Sequence, residues 1–312
     1  MVGDDEMEEV PTAVLGSERC HLGEGPTYDA TIDTAWWVDI IERRLFEARL
    51  DTGRTTVHCL DVMGSALARI DAHRQLLVAD DGLYVRDLAD GRMVLYRPLE
   101  ADNPATRSND ARVHPSGTLW IGTMGRRAEP GSGAIYALYR GELSRLYGRI
   151  SIPNAICFSP DGSVGYFADT RENVLCRVDL DAATGLPCGT PVPLVSRRSG
   201  GGIDGAVVDA DGLIWNARWG GGCIDVYSPQ GEHLRSLRVP ARQELSRFRR
   251  PRPLASARHI GLAGHGGRRE ARRPRSWPYL RARRRGAWSP RAQRENRILL
   301  MEGDQGAGAK PA

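Results

Sequence analysis

VDADGLIWNARWGGGCIDVYSPQG, residues 208–231, joins a polar Asp-x-x-Gly turn to two short runs in which apolar and polar side chains alternate. From Leu213 to Trp219 the alternation has period two, the spacing of a strand and not of a helix. Four more segments share the pattern: YDATIDTAWWVDIIERRLFEARLDTG from Tyr28, IDAHRQLLVADDGLYVRDLADG from Ile70, VHPSGTLWIGTMGRRAEPGSGAIYAL from Val113 and FSPDGSVGYFADTRENVLCRVDLDAATG from Phe158. Their turns, at Asp29, Asp71, His114, Ser159 and Asp209, lie 42, 43, 45 and 50 residues apart. Repeats of that length, each with room for about four short strands, predict the blades of an all-β propeller. No amphipathic helical run alternates with the strands, so a βα barrel is excluded.

A propeller ring has to close, and the next turn of the series falls near residue 255. The sequence there, ELSRFRRPRPLASARHIGLAGHGGRREARRPRSWPYLRARRRGAWSPRAQRENRILL (residues 244–300), has no strand alternation, and Pro251, Pro253, Pro274, Pro278 and Pro290 would each interrupt a ladder. The expected architecture is a six-bladed β-propeller with about five blades encoded in residues 12–242, its sixth blade replaced by an aberrant Arg/Pro-rich segment, 243–312. A missing blade exposes strand edges and an apolar face, which predicts low solubility or weak activity.

Charge divides the chain at the same place. Residues 1–243 hold 25 Arg against 34 Asp and Glu, whereas residues 244–297 hold 17 Arg against three Glu, so the formal net charge of +4 averages an acidic body and a basic segment. Arg with Trp277, Tyr279 and Trp288 interspersed could bind phosphate backbones, RARRRGAW from Arg281 being the densest patch. Against nucleic acid stands the composition: lysine occurs only at Lys310, as in a GC-rich coding sequence, and such a sequence read out of frame yields Arg, Pro, Gly and Ala. A frameshift near residue 243 is the favoured explanation.

No run of about 18 apolar residues exists, and MVGDDEMEEV is acidic where a secretory signal is basic and then apolar, so neither a membrane span nor export is indicated and a cytoplasmic location is expected. The six cysteines form no C-x-x-C pair and are expected to be reduced thiols. GGGIDG at 200–205 satisfies a dinucleotide pattern but leads into a strand, with no helix to hold a pyrophosphate. DADG at Asp209 lacks the remaining ligands of an EF-hand, and no G-x-S-x-G or H-E-x-x-H occurs.

What remains is a set of polar residues in short loops at equivalent places in successive repeats. Glu24 lies in LGEGP, Asn109 in RSNDARVHP, Asn154 in IPNAICFSPDG and Asp204 in GGIDGAVVDADG. Taken singly, each is an ordinary turn residue. In a propeller the start of each innermost strand faces the central channel, so residues at one offset converge on an axial site. Two carboxylates and two amide oxygens aimed at one point suit a hard divalent cation. Trp36, Trp37, Trp120, Trp215 and Trp219 are expected to pack the blades rather than to form a sugar platform.

The segments LGEGPTYD, SNDARVHPSGTLWIGTM, IPNAICFSPDGSVGYFADT and DGAVVDADGLIWNARWGGG resemble the SMP-30/gluconolactonase/LRE-like family, which includes regucalcin and the sugar lactonases. The resemblance runs from Thr12 to Arg242 and implies a six-bladed propeller whose metal ligands are Glu24, Asn154 and Asp204. It also implies that Asp204 is the general base and that Arg107 and Asn109 face substrate hydroxyls; for Arg107 the bland alternative is a surface cation. Ile203 stands where the family usually has proline, which would loosen the loop carrying Asp204, and Arg127 stands where some relatives carry an acidic substrate contact. The implied reaction is hydrolysis of a small-molecule sugar lactone to an aldonic acid. Its one divalent ion, Ca²⁺ or Zn²⁺ with Mg²⁺ or Mn²⁺ possible, acts as a Lewis acid on the lactone. The alternatives are a calcium-binding regulatory protein and a phosphotriesterase or paraoxonase-like hydrolase.

Overall fold

Hydrogen-bonded turns closed by glycine punctuate the repeats. Gly117 N donates to His114 O at 2.8 Å, Gly162 N to Ser159 O at 2.9 Å and Gly212 N to Asp209 O at 3.1 Å. These glycines have φ of 91°, 74° and 82°, a left-handed conformation that a side chain resists. The computed structural model describes residues 7–9, 15, 18–196 and 200–239.

Each repeat is an antiparallel meander of four strands, and the five sheets are the blades of an all-β propeller. Blade I comprises Gly23–Asp29, Thr34–Asp39, Arg44–Arg49 and Arg54–Cys59; blade II comprises Ala66–Arg69, Arg74–Val78, Gly82–Asp87 and Met93–Pro98. Blade III comprises Thr106–Val113, Leu119–Gly125, Gly133–Tyr139 and Glu142–Ile150, and blade IV Pro153–Phe158, Val164–Asp169, Val174–Asp181 and Val192–Ser196, with Leu186–Pro187 as a short addition. Blade V comprises Gly202–Val208, Ile214–Trp219, Cys223–Tyr227 and His233–Arg238. Glu8–Glu9 runs parallel to the last of these as a fifth strand, which the sequence pattern did not predict. No helix occurs among the described residues. The readings of residues 243–312 as a replaced blade, a frameshift product or a basic tail lie outside the described residues.

The core is divided into layers between blades. In the strand Leu119–Gly125, Leu119 and Ile121 join Leu76, Val78 and Leu83 of blade II, while the intervening Trp120 joins Ile156, Phe167 and Val178 of blade IV. Period-two alternation therefore serves two cores at once, and both faces of the strand are buried. Trp120 stands edge-on to Phe158 at 5.3 Å and donates Nε1–H to Gly185 O at 2.9 Å. Trp36 and Trp37 are buried in packing as expected, whereas Trp215 and Trp219 are only half-buried, Trp215 Nε1 donating to Asp209 Oδ2 at 2.7 Å. The six cysteines are free thiols. The innermost strands touch in the order I to V, and those of blades I and III also meet.

Candidate active site

Four of the five innermost strands shift register at the same place: between Glu24 and Thr27 in blade I, Ser108 and Ala111 in III, Asn154 and Cys157 in IV, and Ile203 and Ala206 in V. A bulge inserts an extra residue and re-aims the side chains beside it. The polar residues expected in loops are thus on strands, at bulges: Glu24 and Asn154 are the last paired residues before the shift, and Asn109 and Asp204 are the first residues inside it. Gly25 and Ala155, each just after a candidate ligand, share a left-handed φ of 56° and 54°. For Ala155 that conformation is strained by about 1–2 kcal/mol, strain of a kind that concentrates at functional sites.

Glu24, Arg107, Asn109, Asn154 and Asp204 are all buried, Asp204 being only 1% exposed. Arg107 is therefore not a surface cation. Burial lowers the pKa of its guanidinium, opposed by the charge of Glu24. A continuous chain of contacts runs from there: Arg107 Nη1 donates to Asn109 Oδ1 at 2.9 Å, Asn109 Nδ2 to Asn154 Oδ1 at 3.1 Å and to Pro153 O at 3.0 Å, and Asn154 Nδ2 to Thr170 Oγ1 at 2.8 Å. Thr170 Oγ1 donates to Ile203 O at 2.6 Å, and Asn216 Nδ2 to Asp204 O at 2.8 Å. Arg107, Asn109, Asn154 and Asp204 are thereby joined across blades III to V, with Glu24 of blade I linked to them through the field at Arg107. Blade II contributes Ser65, whose Oγ donates to Ser108 Oγ at 2.7 Å.

Among the described residues no group of three His, Cys, Asp or Glu side chains converges to hold a metal, so a cage here has to include amide oxygens. The donor set fits that requirement. Two buried carboxylates need positive charge nearby, and all-oxygen donors suit a hard cation. Asn154 Oδ1 has two lone pairs, so accepting from Asn109 leaves it one for an ion.

Thr170, Asn173 and Asn216 had no signal in the sequence, because each acts on a residue distant in the chain, and Ser65 had none because its blade lacks the bulge that marks the others. Ile203, in place of proline, offers a backbone N–H, which donates to Asn173 Oδ1 at 2.7 Å. The start of the strand Gly202–Val208 is held by a side chain where a ring would have stiffened it. Arg127 is 88% exposed at its side chain and paired with Glu129 at 2.9 Å, apart from the buried chain.

Asp39 anchors the approach to Glu24. Its carboxylate accepts from His21 N at 2.8 Å, Leu22 N at 3.1 Å and Arg44 Nη2 at 2.9 Å, and Asp169 accepts from Ser151 N and Ile152 N ahead of Asn154 in the same way. Burial pushes the pKa of Asp39 upward, but Arg44 and the backbone donors outweigh it and hold the group below its ordinary 3.8. A carboxylate with a lowered folded-state pKa stabilises the fold above its unfolded value and ceases to as the pH falls through the folded one. Asp39→Ala is expected to lower the urea midpoint at pH 7 by the equivalent of roughly 2–4 kcal/mol, with the gap from the parent narrowing as titration is carried below about pH 4. A gap that stays constant with pH contradicts this assignment.

Residues 22–247 match the SMP-30/gluconolactonase/LRE-like region. The chain belongs to this family. Among family members, a protein of Rhizobium meliloti (strain 1021) that carries the sugar lactone lactonase name is 52% identical over 230 residues, 73% of this chain and 78% of its own length. The L-arabinolactonase of Azospirillum brasilense is 33% identical over 239 residues, 74% of this chain and 78% of its own. The crystal structure of regucalcin, a calcium-binding protein from Agrobacterium tumefaciens str. C58, is 52% identical and superposes with a TM-score of 0.75 over 76% of this chain and 81% of that one. SMP-30-like membership accounts for the repeat period and for the all-β propeller together.

Proposed function

We propose that the protein hydrolyses sugar lactones to aldonic acids with the aid of one divalent cation held by Glu24, Asn154 and Asp204. The observation that carries this reading is the buried chain from Arg107 to the peptide that leads into Asp204, which joins amides from three blades, with the charge of Glu24 from a fourth acting on Arg107. The lactonases among its relatives supply the substrate class. The all-oxygen donor set favours Ca²⁺, with Mg²⁺ and Mn²⁺ next and Zn²⁺, which more often takes nitrogen and sulfur, after them.

The ion, when bound, supplies Lewis-acid polarisation of the lactone carbonyl. Asp204 accepts a proton from the attacking water, the acyl carbon gains the oxygen, and the ring C–O bond breaks as Asp204 returns that proton to the ring oxygen, which leaves as a hydroxyl. Arg107 and Asn109 orient the polyol hydroxyls, and burial of the group excludes bulk water. Lactones are activated esters, so a carboxylate beside a cation, weak as a base, suffices through its position.

The ring in this reading has six blades. The matched region leaves about a fifth of the relatives' length over, close to one blade of six. No described helix is long and apolar enough to cross a membrane, and we place the reaction in the cytoplasm. Assaying a gluconolactone beside an aryl phosphotriester tests the substrate class. Lactone opening with little phosphotriester cleavage is expected; cleavage of the phosphotriester without lactone opening overturns the reading.

A further inference from the structure

Thr170 follows the second strand of blade IV, its backbone N–H donating to Ile152 O at 2.9 Å. Its hydroxyl has one hydrogen, and the 2.6 Å contact with Ile203 O takes it, because a carbonyl only accepts. The 2.8 Å contact with Asn154 is then one in which Thr170 accepts from Nδ2. That fixes the amide: its nitrogen faces Thr170 and Oδ1 faces Asn109. One hydroxyl therefore sets the direction of the Asn154 oxygen and holds the peptide that leads into Asp204.

The rest of the loop is held to match. Asn173 Oδ1 accepts from Ile203 N at 2.7 Å while its Nδ2 donates to Gly201 O at 3.1 Å, and Arg218 Nη2 donates to the same carbonyl at 2.5 Å. The Thr170 methyl fills the space beside Gly202, where an added Cβ would lie 2.8 Å from Cγ2. Thr170 is itself buried at 8% exposure. Both halves of this short, stiff side chain are engaged, the methyl against the backbone at Gly202 and the hydroxyl between Asn154 and the peptide that precedes Asp204.

We propose that Thr170 is a positioning residue that couples Asn154 of blade IV to Asp204 of blade V, so that the two ligands are presented as one unit. The proposal rests on the reading that these residues hold a divalent cation. Thr170→Val keeps the methyl against Gly202 and replaces the hydroxyl with a second methyl; Thr170→Ser keeps the hydroxyl; Gly202→Ala leaves Thr170 in place but pushes on it.

The test uses the full chain in all four forms, with Ca²⁺ titrated calorimetrically into ion-stripped protein and hydrogen exchange followed by peptide without the ion. Thr170→Val is expected to weaken Ca²⁺ binding roughly 10- to 100-fold, the usual cost of losing a group that orients a ligand. It should also speed exchange in peptides covering residues 152–156 and 201–206, although the substitution lies in neither. Gly202→Ala should act in the same direction, and Thr170→Ser should recover most of the affinity. Parent-like affinity in Thr170→Val, or exchange that rises evenly over all blades, overturns the coupling. A parent chain that binds Ca²⁺ and opens lactones while Thr170→Val matches it overturns the coupling alone; a parent that does neither overturns the functional reading and the coupling with it.

Discussion

Asp204→Asn is expected to reduce lactone opening by about 10²- to 10⁴-fold, the range in which positioned acid–base groups contribute. The substitution preserves shape in a site that is 1% exposed, and the backbone bond from Asn216 to Asp204 O does not involve the side chain, so folding should survive. What changes is charge: the amide cannot take the proton from water and offers an ion a neutral oxygen. Cation affinity should fall together with kcat, and a steady-state assay beside a calorimetric titration reads both. A protein that binds Ca²⁺ yet shows no lactone opening to lose points instead to the calcium-binding regulatory alternative.

Gly25→Ala should be among the most damaging substitutions for stability. At φ 56° an alanine is strained, and its Cβ would lie 2.3 Å from Ser65 O and 3.0 Å from Ala66 Cα. Both are backbone atoms of blade II, so the clash is relieved only by moving one innermost strand away from the next. Left-handed strain and overpacking together cost roughly 2–5 kcal/mol, and Glu24, one residue away, would move with the strand. Gly53→Ala separates the two causes, since Gly53 has φ 70° but nothing within 4 Å of an added Cβ; it should cost only about 1–2 kcal/mol. Equal urea midpoints for the two variants would contradict the close approach.

The fold was legible because its signal is local and repeated. The turn-closing glycines 117, 162 and 212 are required by backbone conformation, and the period-two pattern up to Trp219 matches the alternating burial of the strand Ile214–Trp219. The pairing of Glu8–Glu9 with Leu237–Arg238 was not legible, since two residues in a parallel pairing leave no pattern. At the site, Glu24, Asn109, Asn154 and Asp204 could be picked out because each falls within a residue of the same bulge in its innermost strand. Ser65 escaped because the innermost strand of its blade, Ala66–Arg69, pairs without a register shift and carries no ligand-type residue. Thr170 and Asn173 escaped for a different reason: their partners lie 16 to 33 residues away, Asn154 brought close by strand pairing within blade IV and Ile203 by the packing of blade IV against blade V. Ile203 was read as a loosening of the Asp204 loop, yet the N–H that proline would lack is the group Asn173 holds.

The central claim is that Glu24, Asn154 and Asp204 hold one divalent cation needed to open a sugar lactone. Metal analysis of the purified chain coupled to a pH-indicator lactonase assay, before and after chelation, with Glu24→Gln as control, tests it most directly. The account predicts about one divalent ion per chain, activity lost on chelation and restored by Ca²⁺, Mg²⁺ or Mn²⁺, and both ion and activity lost in Glu24→Gln. Lactone opening that persists undiminished in the chelated protein and in Glu24→Gln would contradict it.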